Sequence, residues 1–234
     1  MVRFENVGLR YGNGPEVLRD VSFHLQPGSF HFLVGPTGAG KSSLLKLLYL
    51  SERPSRGMVT LFGQALSKTP RSQLAELRRK IGVVFQDFRL LDHMTVFDNV
   101  ALPLRIAGTP EKKVQEMVSD LVAWVGLEEK MHALPPTLSG GQKQLVAIAR
   151  AVITSPKLIV ADEPTGNIDR EMSYRIMRLF IEMNKLGSTV VVATHDMYLV
   201  DRMKRPVMEL HEGKLLEASW WLTPGEAQEM PDFA

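Results

Sequence analysis

Phe30-His-Phe-Leu-Val34 runs into Gly35-Pro-Thr-Gly-Ala-Gly-Lys41-Ser42, and Ser42-Ser-Leu-Leu-Lys-Leu-Leu-Tyr-Leu50 follows with leucines at helical spacing. An apolar strand, a glycine-rich loop and a helix in that order bring backbone N–H groups and the positive end of a helix to one point. That is a cradle for phosphate. Gly35, Gly38 and Gly40 remove side chains where N–H groups must face phosphate oxygens, Lys41 can reach the terminal phosphates, and Ser42 offers a hydroxyl to Mg²⁺. The plain alternative is a glycine-rich surface turn ahead of a lysine, but the bare pattern arises by chance in only about one chain in a hundred. Its position between a strand and a helix weakens that alternative further.

About a hundred residues later a second glycine loop, Leu138-Ser-Gly-Gly-Gln142, precedes the helix that begins near Lys143. As a helix N-terminus capped by Ser139 it is commonplace. As an anion loop it is surplus, because one nucleotide does not need two such loops from one chain.

The apolar run Leu158-Ile-Val-Ala161 ends in Asp162-Glu163, where a parallel α/β sheet presents side chains to a ligand. Read chemically, Asp162 joins a Mg²⁺ shell through water and Glu163 polarises the attacking water, since phosphoryl transfer asks for positioning and charge stabilisation. Read structurally, the pair is a solvated strand end before the Pro164 turn, and on their own merits the two readings are even. Gln86, after Ile81-Gly-Val-Val-Phe85, and His195, after Val190-Val-Val-Ala-Thr194, hold the same station on their strands. The Gln86 amide oxygen can reach a metal or the attacking water, and the His195 imidazole can hold a γ-phosphate or bond to Glu163. Either residue standing alone is more often a polar cap. Tyr11, in the turn Tyr11-Gly-Asn-Gly-Pro15, can stack on a purine ring, although an aromatic in a turn more often packs.

With 234 residues, 44% hydrophobic and 23% charged, the chain can bury the core of one large α/β domain or two small ones. A net charge of +2 makes no electrostatic case for nucleic acid or an anionic membrane surface as the main partner. The absence of cysteine removes disulfides, thiolate nucleophiles and cysteine-ligated metals, and suits a reducing cytosol. Met1-Val-Arg-Phe-Glu-Asn6 carries no signal-peptide core, and the apolar stretches fall far short of the roughly 20 residues that cross a bilayer. Any membrane link is therefore expected through a partner.

Outward from the first loop, Val2 to Leu25 reads as antiparallel strands about the Tyr11–Pro15 turn, and Met58 to Phe62 as a further strand. A polar helix is predicted around Arg71 to Lys80 and a strand from Ile81 to Phe85. Residues from about 87 to 134 read as mainly helical, with Val114, Met117, Val118, Leu121, Val122 and Val125 at spacings of three and four. Pro135-Pro136 ends that insert, and Leu145 to Ile153 continues as a helix. Strands that alternate with helices predict a mostly parallel sheet covered on both faces.

In their fixed order these motifs resemble the nucleotide-binding subunits of the ATP-binding-cassette (ABC) superfamily, and the match runs from about Val2 to Glu217. The resemblance implies an α/β fold: a RecA-like P-loop NTPase core with an N-terminal antiparallel β subdomain and a helical subdomain at about 87–150. It implies one ATPase domain over 1–218, followed by a tail at 219–234. ATP and Mg²⁺ are the implied cofactors and ATP hydrolysis the implied reaction. Gly35, Pro36, Thr37, Gly38, Ala39, Gly40, Lys41, Ser42 and Ser43 become the Walker A cradle, with Tyr11 in the place of the adenine-stacking aromatic. Ser42, Gln86 and Asp162 surround the metal, and Glu163, His195 and Gln86 serve catalysis. Ser139, Gly140, Gly141 and Gln142, together with Asp169 of Gly166-Asn-Ile-Asp169, are implied to act in trans on nucleotide held by a second copy. A nucleotide-sandwich homodimer resolves the surplus loop. The stroke is implied to pass, through a groove between the Gln86 region and the helical insert, to an integral membrane partner, with the chain on the cytoplasmic side.

Within the superfamily, Phe85-Gln-Asp-Phe-Arg-Leu-Leu91, Thr95-Val-Phe-Asp-Asn-Val100, Pro103-Leu-Arg-Ile-Ala-Gly108 and Ala161-Asp-Glu-Pro-Thr-Gly-Asn167 resemble most closely its bacterial cell-division branch. There the ATP cycle is implied to control cell-wall hydrolysis instead of moving a solute. Lipoprotein-release and macrolide-export branches are the alternative within the same enzyme class, and a nucleotide-dependent regulator or scaffold with little turnover is the alternative from another. A kinase or GTPase is disfavoured, because neither needs Leu138 to Gln142. Two positions depart from the pattern. Leu145 stands where the family usually has arginine, so a charged contact supporting the signature helix is expected to be lost, and Gln142 stands where the cell-division branch often has an acid.

Overall fold

The computed structural model describes residues 1–166 and 168–216, so the tail assigned to 219–234 lies outside the described residues. A hairpin of β1 (Val2–Arg10) and β2 (Glu16–Leu25) leads to β3 (Phe30–Val34) and, through the glycine loop, to α1 (Lys41–Leu48). Then come β4 (Arg56–Leu61), β5 (Gln64–Ala65), α2 (Arg71–Arg78) and β6 (Ile81–Val84). The helical insert is α3 (Val96–Ile106), α4 (Glu111–Trp124) and α5 (Gly140–Val152). The described chain ends with β7 (Leu158–Asp162), α6 (Arg170–Lys185), β8 (Thr189–Ala193), α7 (Met197–Met203), β9 (Val207–His211) and β10 (Lys214–Leu216).

The strands form an antiparallel sheet in the order β2-β1-β4-β5 and a larger sheet in the order β10-β9-β3-β8-β7-β6, where β10 alone runs antiparallel to its neighbour. A parallel sheet needs cover on both faces, and side chains alternate between faces along each strand. Both requirements are visible here. Phe30, Phe32, Ile159, Ala161, Val190 and Val192 pack into one cluster with Val100 of α3, Val118 of α4, Ile148 of α5 and Phe180 of α6. The intervening Leu33, Leu158, Val160, Val191 and Ala193 pack into a second cluster with Leu44 and Leu48 of α1, Leu77 of α2 and Val2 and Phe4 of β1. The insert and the antiparallel sheet therefore sit on opposite faces of the central sheet.

The structure departs from the expected helical run at 87–134 over its first part: residues 85 to 95 form a loop instead of a helix. Asn99, fully buried on α3, stabilises it. Its Oδ1 accepts from the Leu91 N–H (2.9 Å), while Nδ2 donates to the carbonyls of Leu91 (3.1 Å), Met94 (3.1 Å) and Thr95 (3.0 Å). Outside the sequence expectation lie β5, α6, α7 and the β9–β10 hairpin. For α6 the signal is present in the sequence, since Asp169 caps the helix and Ile176, Met177, Phe180 and Ile181 form its buried stripe.

Leu145 is 1% exposed within the insert-side cluster, so in this chain the position belongs to the apolar core. Leu145→Ala is expected to lose about 3 kcal/mol in urea denaturation, as buried leucine truncations do. Leu145→Arg should lose at least as much, because a guanidinium would enter that core without an acid to pair with. An arginine variant as stable as the unaltered chain would overturn the apolar assignment.

Candidate active site

Four parallel strands deliver the site at their carboxyl ends. Leu33 of β3 and Asp162 of β7 both pair with Ala193 of β8, and Val84 of β6 pairs with Ala161, so the glycine loop, Asp162, His195 and Gln86 emerge side by side.

Gly35, Gly38 and Gly40 take φ of 146°, 83° and 105°. A Cβ on Gly35 would strike the Leu210 carbonyl of β9, so this position requires glycine for space as well as for conformation. The N-terminus of α1 has no side-chain cap and no acid in its first turn; α2 and α4, which follow prolines, also lack a side-chain cap, whereas α3, α5, α6 and α7 are capped by Thr95, Ser139, Asp169 and Asp196. Uncapped N–H groups and the positive helix end suit a polyanion. Lys41 Nζ donates to the carbonyls of Gly35 (2.7 Å) and Pro36 (3.2 Å), which holds the ammonium within the loop. The Tyr11 hydroxyl donates to Ser43 Oγ (3.1 Å), and Lys46 Nζ lies 5.4 Å from the ring centre, fastening the exposed ring to the first turns of α1.

Beside the loop a cleft of about 460 Å³ brings Ser42, Gln86 and Asp162 together with Lys46, Asp87 and Arg89. Burial pushes the Asp162 carboxyl above its ordinary range; a hydrogen bond from the Ser42 hydroxyl opposes this, nearby Glu163 adds to it, and the ammonium groups of Lys41 and Lys46 oppose it. Glu163 follows in the left-handed region at φ 45°, with its N–H bonded to the Ala193 carbonyl at 2.9 Å. Its side chain is 12% exposed, and Oε1 lies 3.0 Å from Nδ1 of the largely exposed His195. The His195 backbone N–H also approaches Oε2, at 3.4 Å.

Ser139 to Gln142 lie outside that cleft. They form a capping box: Gln142 N–H donates to Ser139 Oγ (3.2 Å) and Ser139 N–H to Gln142 Oε1 (2.9 Å). A Cβ on Gly141 would stand 3.1 Å from Met172 Cγ, and Met172 N–H donates to the Asp169 carboxylate at 2.8 Å. The second glycine loop and Asp169 thus share one corner, away from the first loop. Sequence reasoning missed Lys46 and Arg89 in the cleft. Lys46 was accessible to it, because four residues beyond Ser42 is the same helix face.

This arrangement is that of an ATP-binding cassette. The chain belongs to the ABC transporter family, whose model matches residues 18–166, and it is an ATPase of the ABC type. It is 46% identical to the cell division ATP-binding protein FtsE of Escherichia coli strain K12 over 92% of this chain and 97% of that protein. It is 39% identical to FtsE of Bacillus subtilis strain 168, over 91% and 93%. Among solved structures, the ATP-binding cassette MJ0796, a dimer in a post-hydrolysis state bound to ADP and Pi, matches with a TM-score of 0.84 at 33% identity, covering 92% of this chain and 96% of that one.

Asp162 carries a testable consequence. The folded carboxyl holds its proton more tightly than the unfolded one, so its contribution to stability is fullest at low pH and falls as pH rises through the raised native pKa. Asp162→Asn escapes that loss. Without nucleotide, its melting temperature relative to the unaltered protein is expected to be higher near pH 7 than near pH 4; a difference that stays flat, or falls, would refute the buried-charge account.

Proposed function

We propose that this chain is the ATP-hydrolysing subunit of a bacterial membrane complex in cell division, working as a nucleotide-sandwich homodimer beside an integral membrane partner of the FtsX type. The observation that carries the reading is the separation of two half-sites. The cradle and catalytic acid lie along one sheet edge, and the preorganised Ser139 to Gln142 corner lies apart from it. The FtsE relatives support the division role, and the dimeric solved relative supports the sandwich.

In this reading Gly35 to Ser43 and the α1 N-terminus hold the phosphates and Tyr11 stacks on the adenine. Ser42, Gln86 and Asp162 are the donors for Mg²⁺, one hydroxyl, one amide and one carboxylate. Among the described residues no three His, Asp or Glu side chains gather into a metal site of their own. That poverty of ligands fits a cation completing its shell with phosphate oxygens and water, which would neutralise charge on the phosphates. Glu163 takes the proton of the attacking water, and His195, whose Nδ1 stands 3.0 Å from Glu163 Oε1, has a ring N–H to donate either to that carboxylate or to the γ-phosphate.

The capping box uses the oxygens of Ser139 and Gln142 as acceptors, so the Ser139 O–H and the Gln142 amide N–H groups can both donate to nucleotide on a second copy. The insert at about 87–150, within an ATPase domain spanning 1–218, is the arm that carries this corner. No helix among the described residues is long and apolar enough to cross a membrane, and we place the chain on the inner face of the cell membrane through its partner.

The decisive assay is ATP turnover of the protein with its membrane partner. Glu163→Gln should lower kcat at least about 100-fold while retaining ATP and favouring the dimer, since removal of a general base typically costs that much. Lys41→Ala should abolish nucleotide binding. If the unaltered protein is as inert as Glu163→Gln with its membrane partner present, the motor reading fails and a binding regulator remains; if both are equally active, the role of Glu163 is refuted; and retained ATP affinity in Lys41→Ala refutes the cradle.

A further inference from the structure

Past the turn to Phe85, the loop that carries Gln86 takes its hydrogen bonds to other elements from the helical insert and not from the sheet it leaves. At one end Asn99 of α3 binds both the N–H and the carbonyl of Leu91. In the middle Arg150 of α5 forks onto two consecutive carbonyls, Nη1 to Arg89 at 2.6 Å and Nη2 to Phe88 at 2.7 Å.

Those two residues are the ones that need holding. Phe88 and Arg89 take φ of 58° and 48°, two successive left-handed residues that both carry a Cβ. Such a pair persists only where its surroundings over-determine it. The local bonds, Phe88 N–H to Phe85 O (3.2 Å) and Arg89 N–H to Asp87 O (2.6 Å), close the turn but leave both carbonyls to Arg150. The Arg89 guanidinium, 3.9 Å over the Phe85 ring and bonded through Nε to Asp87 (3.1 Å), packs the turn against the end of β6.

Arg150 is unusual in its own right. It is partly buried, burial pulls its pKa down, and no acid pairs with it among the described residues. A guanidinium placed there without a carboxylate, with both arms on backbone oxygens, reads as a geometric device, because the rigid fork suits two adjacent acceptors and an ammonium does not. It also lies on the helix whose first turn is the Ser139 to Gln142 corner, about 12 Å along the axis from Gln142 at 1.5 Å per residue.

From this geometry we infer that Arg150 is a positioning residue that ties the Ser139–Gln142 helix to the Gln86 loop, so that docking of that corner on a second copy sets where Gln86 stands in the cleft. The inference rests on the role proposed above for Gln86 and goes beyond it by naming what moves Gln86. A rigid α5 transmits the displacement, and the fork converts it into a shift of the Phe88–Arg89 turn.

The test joins kinetics to hydrogen exchange in the full chain with its membrane partner. Arg150→Met should lower kcat about tenfold with ATP affinity held within about twofold, the pattern of a lost transition-state arrangement and not of lost binding. The Gln86→Ala/Arg150→Met double variant should be no slower than Gln86→Ala alone, and Arg150→Lys should recover part of the rate. In Arg150→Met the amides of Phe88 and Arg89 should exchange faster while those of β7 and β8 are unchanged, and the ATP-driven change at the two loop amides should disappear. Where the methionine variant folds poorly, Arg150→Lys carries the exchange measurement, since it keeps the charge without the fork.

Unchanged loop exchange, faster exchange throughout the sheet, or kinetic losses that multiply in the double variant would each overturn the inference. If the unaltered protein turns over no ATP even with its membrane partner, the motor role proposed above fails, and the exchange response to ATP still decides the role of Arg150.

Discussion

The parallel pairing of β3, β8, β7 and β6 is the constraint on which the rest of the structure depends. Because Leu33 and Asp162 share Ala193 as partner, and Val84 sits against Ala161, the chain must leave all four strands along one edge. Parallel ladders bury both faces. That demand accounts for the two apolar clusters and for the helical insert and the antiparallel sheet lying on opposite sides. The site is a by-product of the same geometry, since residues far apart in sequence become neighbours only where the ladder ends.

Local rules are broken at the site, as they are at several turns elsewhere in the chain. Glu163, Phe88 and Arg89 occupy the left-handed region without being glycine, Asp162 holds a carboxyl that burial pushes toward protonation, and α1 lacks the side-chain cap that four other helices have. Each departure has a physical use. An uncapped helix end leaves N–H groups for phosphate, and a buried carboxylate next to a hydroxyl favours the arrival of a cation. The left-handed Glu163 turns its side chain back to His195 directly after the strand. Strain held in this way at a site is stabilised elsewhere, here by a core in which the central strands are almost wholly buried.

Much of this was legible in advance, for identifiable reasons. The glycine spacing of 35–40 has few competing explanations, and the hydrophobic runs at 30–34, 158–161 and 189–193 are short and continuous, as buried parallel strands require. The stations of Gln86, Asp162 and His195 followed from the strand ends alone. The loop at 85–95 was not legible as a loop, because its apolar content suits a helix and its support comes from the side chain of Asn99, in the first turns of the next helix, and from Arg150, 61 residues beyond Arg89. The significance of Leu145 likewise depended on which face of α5 met the core.

By itself, the sequence determined the kind of chemistry: a phosphate loop, an acid pair after an apolar strand, a histidine and a glutamine at strand ends, and a second glycine loop that one chain does not need. Local residue identity suffices for this, because cradles and caps are built from neighbouring residues. Only the tertiary structure decided how those parts are held: that Ser42, Gln86 and Asp162 share one cleft, that the second loop lies outside it beside Asp169, and that the Gln86 loop hangs from the insert through Arg150 and Asn99. Those facts depend on the register of strands and the packing of helices, which are long-range outcomes of burial and hydrogen bonding and leave no local pattern to read.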